Sequence, residues 1–120
     1  LWTVAMLPQG VRQLLIFEDR YKRMVEDVLE TTGQIAMAVY AGRPHEERPG
    51  TQPALRPGVC LGRILDYQRL ENGMFRIELQ GMCRARILYE LPVTEDCPYR
   101  QAMLEPVGIQ DVDEESLVGA

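Results

Sequence analysis

A chain of 120 residues, 46% of them apolar, is the size of a single domain and carries enough apolar side chains for a core. Its 18 acidic and 13 basic residues leave a net charge of −5, which argues against the basic footprint that general nucleic-acid binding needs. No apolar run approaches the ~20 residues that span a bilayer, and no charged start with an apolar stretch and small-residue cleavage site marks an export signal, although the chain begins Leu1-Trp2 without Met.

Two short apolar runs, residues 3–8 and 11–17, are split by Pro8-Gln9-Gly10 and read as two extended pieces joined by a turn. Tyr21, Met24, Val25, Val28 and Leu29 then recur at i, i+3, i+4, i+7 and i+8, one apolar face of a helix. Asp19 is placed to cap its start, and Gly33 suits the left-handed position after its end. Arg20, Lys22, Arg23, Glu26, Asp27 and Glu30 fall on the wet side. Gln34 to Tyr40 has the length of a strand.

From Ala41 to Gly58 four prolines interrupt a tract without periodicity, which predicts a long, mobile surface loop. Val59 to Leu70 and Met74 to Gln80 are strands around Asn72-Gly73, a hairpin signal because both residues tolerate positive φ. Phe75, Ile77 and Leu79 alternate with Arg76, Glu78 and Gln80, so one face is buried. Cys83 to Leu91 alternates again, and Tyr99 to Glu105 reads as a closing strand. An acidic tail from Asp111 lacks aromatic residues and is expected to be disordered or to begin a further segment. The predicted organisation is one β domain over residues 1–109 and an acidic tail over 110–120. Six or seven short strands with one early helix predict a mainly β, α+β fold, a barrel or curled sheet. A parallel α/β fold would need a helix after nearly every strand.

The residue inventory disfavours catalysis. Ser116 is the only serine and sits in the tail; Lys22 and His45 are the only lysine and histidine. A serine nucleophile needs a neighbouring base and a defined pocket, and this set offers neither. No phosphate-cradling glycine loop is present. Cys60, Cys83 and Cys97 are too widely spaced for a zinc pair and too few for a disulfide framework. They read as small half-buried apolar residues in a reducing, cytoplasmic setting. No cofactor and no metal are expected.

Three segments carry a resemblance. Leu14-Leu15-Ile16-Phe17-Glu18-x-Arg20-Tyr21, with Pro8 at the right distance before it, is similar to the strand-to-helix join of the Lon-type substrate-binding domain. Gly62-Arg63-Ile64 followed by Leu70-Glu71-Asn72-Gly73 resembles the family's Gly-x-Ile strand and Leu-x-x-Gly turn. Gly81-x-x-Arg84-x-Arg86-Ile87 is similar to its Gly-x-x-Arg-x-Arg-Ile signature. Order and spacing agree over about residues 4–107. Gln9 stands where the family usually has Gly, Gln13 where it has Pro, and Trp2-Thr3 where it has Pro-Asn.

The resemblance implies a PUA-like β pseudobarrel. It also implies a non-catalytic protein-binding domain that holds unfolded or degron-bearing polypeptides, with protease and ATPase domains on the same or another chain. Homo-oligomers are compatible with it, and a membrane is not part of it. Candidate protein-binding residues are Trp2 and Met6 as apolar contacts near the start, Glu18, Asp19 and Arg20 at the helix start, and Arg84 and Arg86 on one strand face. The plainer readings are a locally paired helix start, and arginines paired with Glu78 or Glu90 across the sheet. An unpaired edge strand offers peptide binding by strand addition. The alternative function is an RNA-binding PUA-like module using Arg63, Arg84 and Arg86; the net charge of −5 counts against it.

Overall fold

The computed structural model describes residues 2–8, 12–42 and 53–107, and of Trp2 only the backbone. The element order is β1 (Trp2–Pro8), β2 (Gln13–Ile16), α1 (Asp19–Leu29), β3 (Gln34–Ala38), β4 (Gly58–Arg69), β5 (Phe75–Leu91) and β6 (Gln101–Val107). His45, Ser116, most of the proline-rich loop and the acidic tail lie outside the described residues.

The sheet order β2-β5-β4-β3-β1-β6, with a further pairing of β5 to β6, closes β1, β3, β4, β5 and β6 into a ring and leaves β2 attached to β5. All pairings are antiparallel except β1 with β3. A parallel pair cannot be joined by a tight hairpin, and the crossover here runs through β2 and α1. Among the described residues the mainly β fold, with one α-helix, is therefore a small closed barrel.

Each ring strand sends side chains inward. Val4 and Met6 from β1, Ala36 from β3, Leu61 from β4, Ala85 from β5 and Leu104 from β6 make one buried cluster. A second cluster lies under α1, where Met24, Val25 and Val28 meet Ile16, Ile35, Phe75, Ile77 and Leu79. Ala5 and Leu7 also belong to it, so both faces of β1 are covered. This explains an uninterrupted apolar run in place of an alternating one. It also removes Met6 from the surface. At 1% exposure it is a core residue, because β1 lies between β3 and β6.

The helix start departs from the expected cap. Glu18 holds the cap position with extended backbone and no side-chain cap bond; its carbonyl accepts the Tyr21 and Lys22 amides at 3.0 and 2.9 Å. Asp19 is the first helical residue, where its charge faces the positive end of the helix dipole. The end behaves as expected: Gly33 has φ +67° and donates its amide to the Val28 carbonyl at 2.7 Å. Asp27 is half-buried, not solvated. It accepts the Tyr99 hydroxyl at 2.6 Å, and Arg23 donates to the Asp96 carbonyl at 3.2 Å. These two bonds staple α1 to the segment before β6.

Asn72 and Gly73 both adopt positive φ, +68° and +75°, within a 3-10 turn over Glu71–Gly73. The expected break at Gly81 does not occur. β5 runs on to Leu91 because Met82 is taken up as a bulge between the pairs Gly62–Gly81 and Leu61–Cys83. Leu65 and Leu88 are extra residues at the other two register shifts. Leu65, Met82 and Leu88 are 55%, 42% and 40% exposed, since a bulged residue leaves the inward alternation. The closing strand begins at Gln101, two residues later than expected, and Tyr99 is buried ahead of it.

Phe75→Ala should lower stability by about 3–5 kcal/mol in urea unfolding, while Leu88→Ala at a bulge should stay within about 0.5 kcal/mol. Burial, and then the bond to Asp27, push the Tyr99 hydroxyl pKa well above the ordinary tyrosine range. The folded state therefore keeps a proton that the unfolded chain loses. This group should therefore add to a loss of stability as pH rises above about 10, and Tyr99→Phe should make that fall shallower. Urea midpoints measured across this range in both proteins check the sign.

Candidate functional site

Directly paired residues on neighbouring strands point to the same face of a sheet. The register pairs Met37 with Cys60, Cys60 with Arg84, and Arg84 with Val107, one row across β3, β4, β5 and β6. Their neighbours Val59, Leu61 and Ala85 point into the ring, so this row faces outward. Gly58 pairs with Arg86, and Arg86 with Glu105, which adds a second row beside the first.

The two rows line a groove of about 500 Å³. Its end wall is the chain entering β4, folded back along the end of β3. Arg56 donates its amide to the Val39 carbonyl and Ala41 to the Ala54 carbonyl, both at 2.8 Å. Pro57 accepts the Ile87 amide at 2.8 Å, which fixes this wall to β5. Val39 is exposed at the groove, and a Cβ placed on Gly58 would meet nothing within 4 Å. The lining is predominantly apolar, with the two arginines as its charged members.

Arg84 and Arg86 share this face, as their spacing predicts, but their electrostatics differ. Arg86 donates to Glu105 Oε2 at 3.1 Å. Both side chains are about half exposed, so solvent screening leaves the pair worth about 0–1 kcal/mol. Among the described residues no carboxylate pairs with Arg84. Glu90, an expected partner, is taken instead by Arg100 at 2.7 and 2.8 Å. Glu78 lies at the far end of β5, opposite Gln13 and Asp66.

The other predicted residues fall elsewhere. Glu18 and Arg20 form a local pair at 3.4 Å, Asp19 and Lys22 another at 3.1 Å, and the Arg20 guanidinium lies 4.6 Å from the Tyr21 ring centroid. None of the three lines the groove. Glu18 instead borders an apolar hollow of about 110 Å³ beside β2, formed with Leu14, Ile16 and Tyr21. Phe17, 63% exposed, stands over it. Among the described residues β2 is paired along one edge only. Met6 is buried, and Trp2 contributes only its described backbone to β1. Met37, Val39, Gly58 and Cys60 escaped the sequence reading, because only the strand register shows that they adjoin the arginines.

The model of the ATP-dependent protease La (LON) substrate-binding domain matches residues 2–119. The chain belongs to this family. No curated protein sequence matches it. Among solved structures it is similar to a Lon N-terminal domain protein from Xanthomonas campestris, with a TM-score of 0.62 at 19% identity over 88% of this chain and 60% of that one. It is also similar to the N-terminal domain of Mycobacterium avium complex Lon protease, with a TM-score of 0.60 at 16% identity over 88% of this chain and 55% of that one. At these identities the likeness is one of fold, and the chain spans less than two thirds of either structure.

A substrate-binding domain of the Lon family is a non-catalytic module. Among the described residues no group of His, Cys, Asp and Glu is arranged to hold a metal ion, and no helix is long and apolar enough to cross a membrane.

Cys60 lines the groove, whereas Cys83 packs against the inward cluster, and burial pushes its thiol pKa up. The thiolate is the reactive form, so maleimide should modify Cys60 before Cys83 near neutral pH. Peptide mass mapping of a time course reads the order; the reverse order would place Cys60 off the accessible surface.

Proposed function

We propose that this Lon-family domain captures unfolded or degron-bearing polypeptides, and that the groove across β3, β4, β5 and β6 is where it holds them. The observation that carries this is the groove itself. It is large, predominantly apolar, open to side chains at Gly58, and built on paired strands. A rigid sheet supplies a preformed surface, so little ordering cost falls on the domain when a chain binds. An unfolded chain offers apolar side chains and unpaired backbone, and burying them against such a floor contributes about 25 cal/mol per Å². The binding unit in this reading is the barrel of residues 1–109, and any hydrolysis belongs to protease and ATPase domains outside it.

The β2 edge is a secondary contact in the same reading. Phe17 and Leu15 are exposed beside an edge that can accept an added strand. RNA binding loses support from the groove's lining, which among the described residues has no aromatic ring on which a base could stack.

Gly58→Trp should fill the groove without straining the strand, because the position is open. It should weaken binding of a reduced, unfolded test protein about tenfold or more while leaving thermal unfolding within a few degrees of the parent. Phe17→Ala should weaken it by a smaller factor. Unchanged affinity in Gly58→Trp, measured by anisotropy of a labelled unfolded protein, would refute the groove as the site.

A further inference from the structure

We propose that the groove selects extended segments in which apolar side chains are accompanied by an aspartate or glutamate, and that Arg84 is the group that takes that carboxylate. This rests on reading the groove as the polypeptide site.

The register makes the two groove arginines unequal. Arg86 stands opposite Glu105 and is neutralised by it at 3.1 Å. Arg84 stands between Cys60 on one side and Val107 on the other, both without charge. Among the described residues no ion pair reaches it. A guanidinium flanked by neutral groups keeps its full attraction for an incoming carboxylate and can engage it through two parallel hydrogen bonds. The apolar floor beside it strengthens that attraction, because low-dielectric walls focus the field of a charge.

The groove is thus locally positive on a chain whose net charge is −5. That contrast shapes the selection. A highly charged polyanion is repelled by the whole molecule, whereas a segment bearing one carboxylate among apolar residues meets mainly the local arginine. An extended chain presents every second side chain to one surface. The favoured pattern therefore places the apolar residues and the acid together at every second position, all on the face turned to the groove.

The test uses dye-labelled peptides, acetylated and amidated, that share one alternating apolar core and carry Glu, Gln or Lys at one groove-facing position. Their affinities for the chain, and for Arg84→Gln and Arg76→Gln, are read by fluorescence anisotropy at low and high salt. Arg84 and Arg76 are both exposed, and Arg76 lies at the β2 end of β5, away from the groove. The Glu peptide should bind about three- to tenfold tighter than the Gln peptide, and the Lys peptide weaker than either. That preference should vanish in Arg84→Gln, persist in Arg76→Gln, and shrink with salt while binding of the Gln peptide remains. Equal affinities for Glu and Gln in the parent would overturn charge selection and leave an apolar groove standing. A preference that survives Arg84→Gln would overturn the role of Arg84. Absence of binding by every peptide would overturn the groove reading, and this inference with it. A short single-stranded RNA that bound tighter than any peptide, with a steep loss in salt, would replace the carboxylate ligand with phosphate.

Discussion

The architecture depends on one constraint: β5 must serve three partners along 17 residues. One of its edges pairs with β4 from Phe75 to Arg86. Its other edge is given first to β2 at Phe75–Glu78 and then to β6 at Arg84–Leu91. A straight strand cannot follow a closed ring and also extend past it to carry a hairpin arm. The register shifts at Met82 and Leu88 on β5, and at Leu65 on β4, bend the pair and raise its twist. Without that bending β6 could not close on β5, and the inward cluster of Val4, Met6, Leu61, Ala85 and Leu104 would lose its enclosure.

The same bulges determine where the groove lies. Up to Gln80 the odd-numbered residues of β5, Phe75, Ile77 and Leu79, meet α1 and its neighbours. Beyond Met82 the odd-numbered residues Cys83 and Ala85 belong to the ring's inward cluster instead. Arg84 and Arg86 are consequently turned outward beside Met37 and Cys60. Met37 marks the junction: it packs against the cluster under α1 and also lines the groove. The groove is an outward sheet face next to the covered one. An alternating strand normally sends polar side chains to an uncovered face, and here Met37, Cys60, Gly58 and Val107 are there as well.

Local signals in the sequence were strong where one physical rule dominated. The helical spacing of Tyr21 to Leu29, the positive φ at Gly33 and at Asn72-Gly73, and the alternation of Phe75 to Leu79 each depend on near neighbours, and each is realised. Misplaced features depended on distant partners. Met6 looked like a surface apolar residue because nothing local shows that β1 is covered on both faces. Gly81 looked like a strand end because a bulge and a break share the same residue types. Arg84 and Arg86 were legible as a pair on one face. Their unequal surroundings were not, since Glu105 and Val107 become their neighbours only when β6 closes the ring. Family resemblance across the three motifs anticipated the barrel, because those motifs fall on the β2–α1 join, the β4–β5 hairpin and the bulged centre of β5, the places where topology is determined.

An apolar groove on an exposed sheet face carries a hazard, for it can take a second copy of its own chain as readily as a substrate. Two features oppose that outcome. Arg84, which no carboxylate pairs among the described residues, makes face-to-face stacking of two grooves bring like charges together, which a partly desolvated contact penalises strongly. The net charge of −5 adds a general repulsion between copies. Neither feature bars a flexible, unfolded segment, which can place its own groups to suit the arginines and approach without a second folded surface behind it. In the proposed reading, charge at this site acts as a filter on what can cover the groove, and the apolar floor provides most of the adhesion.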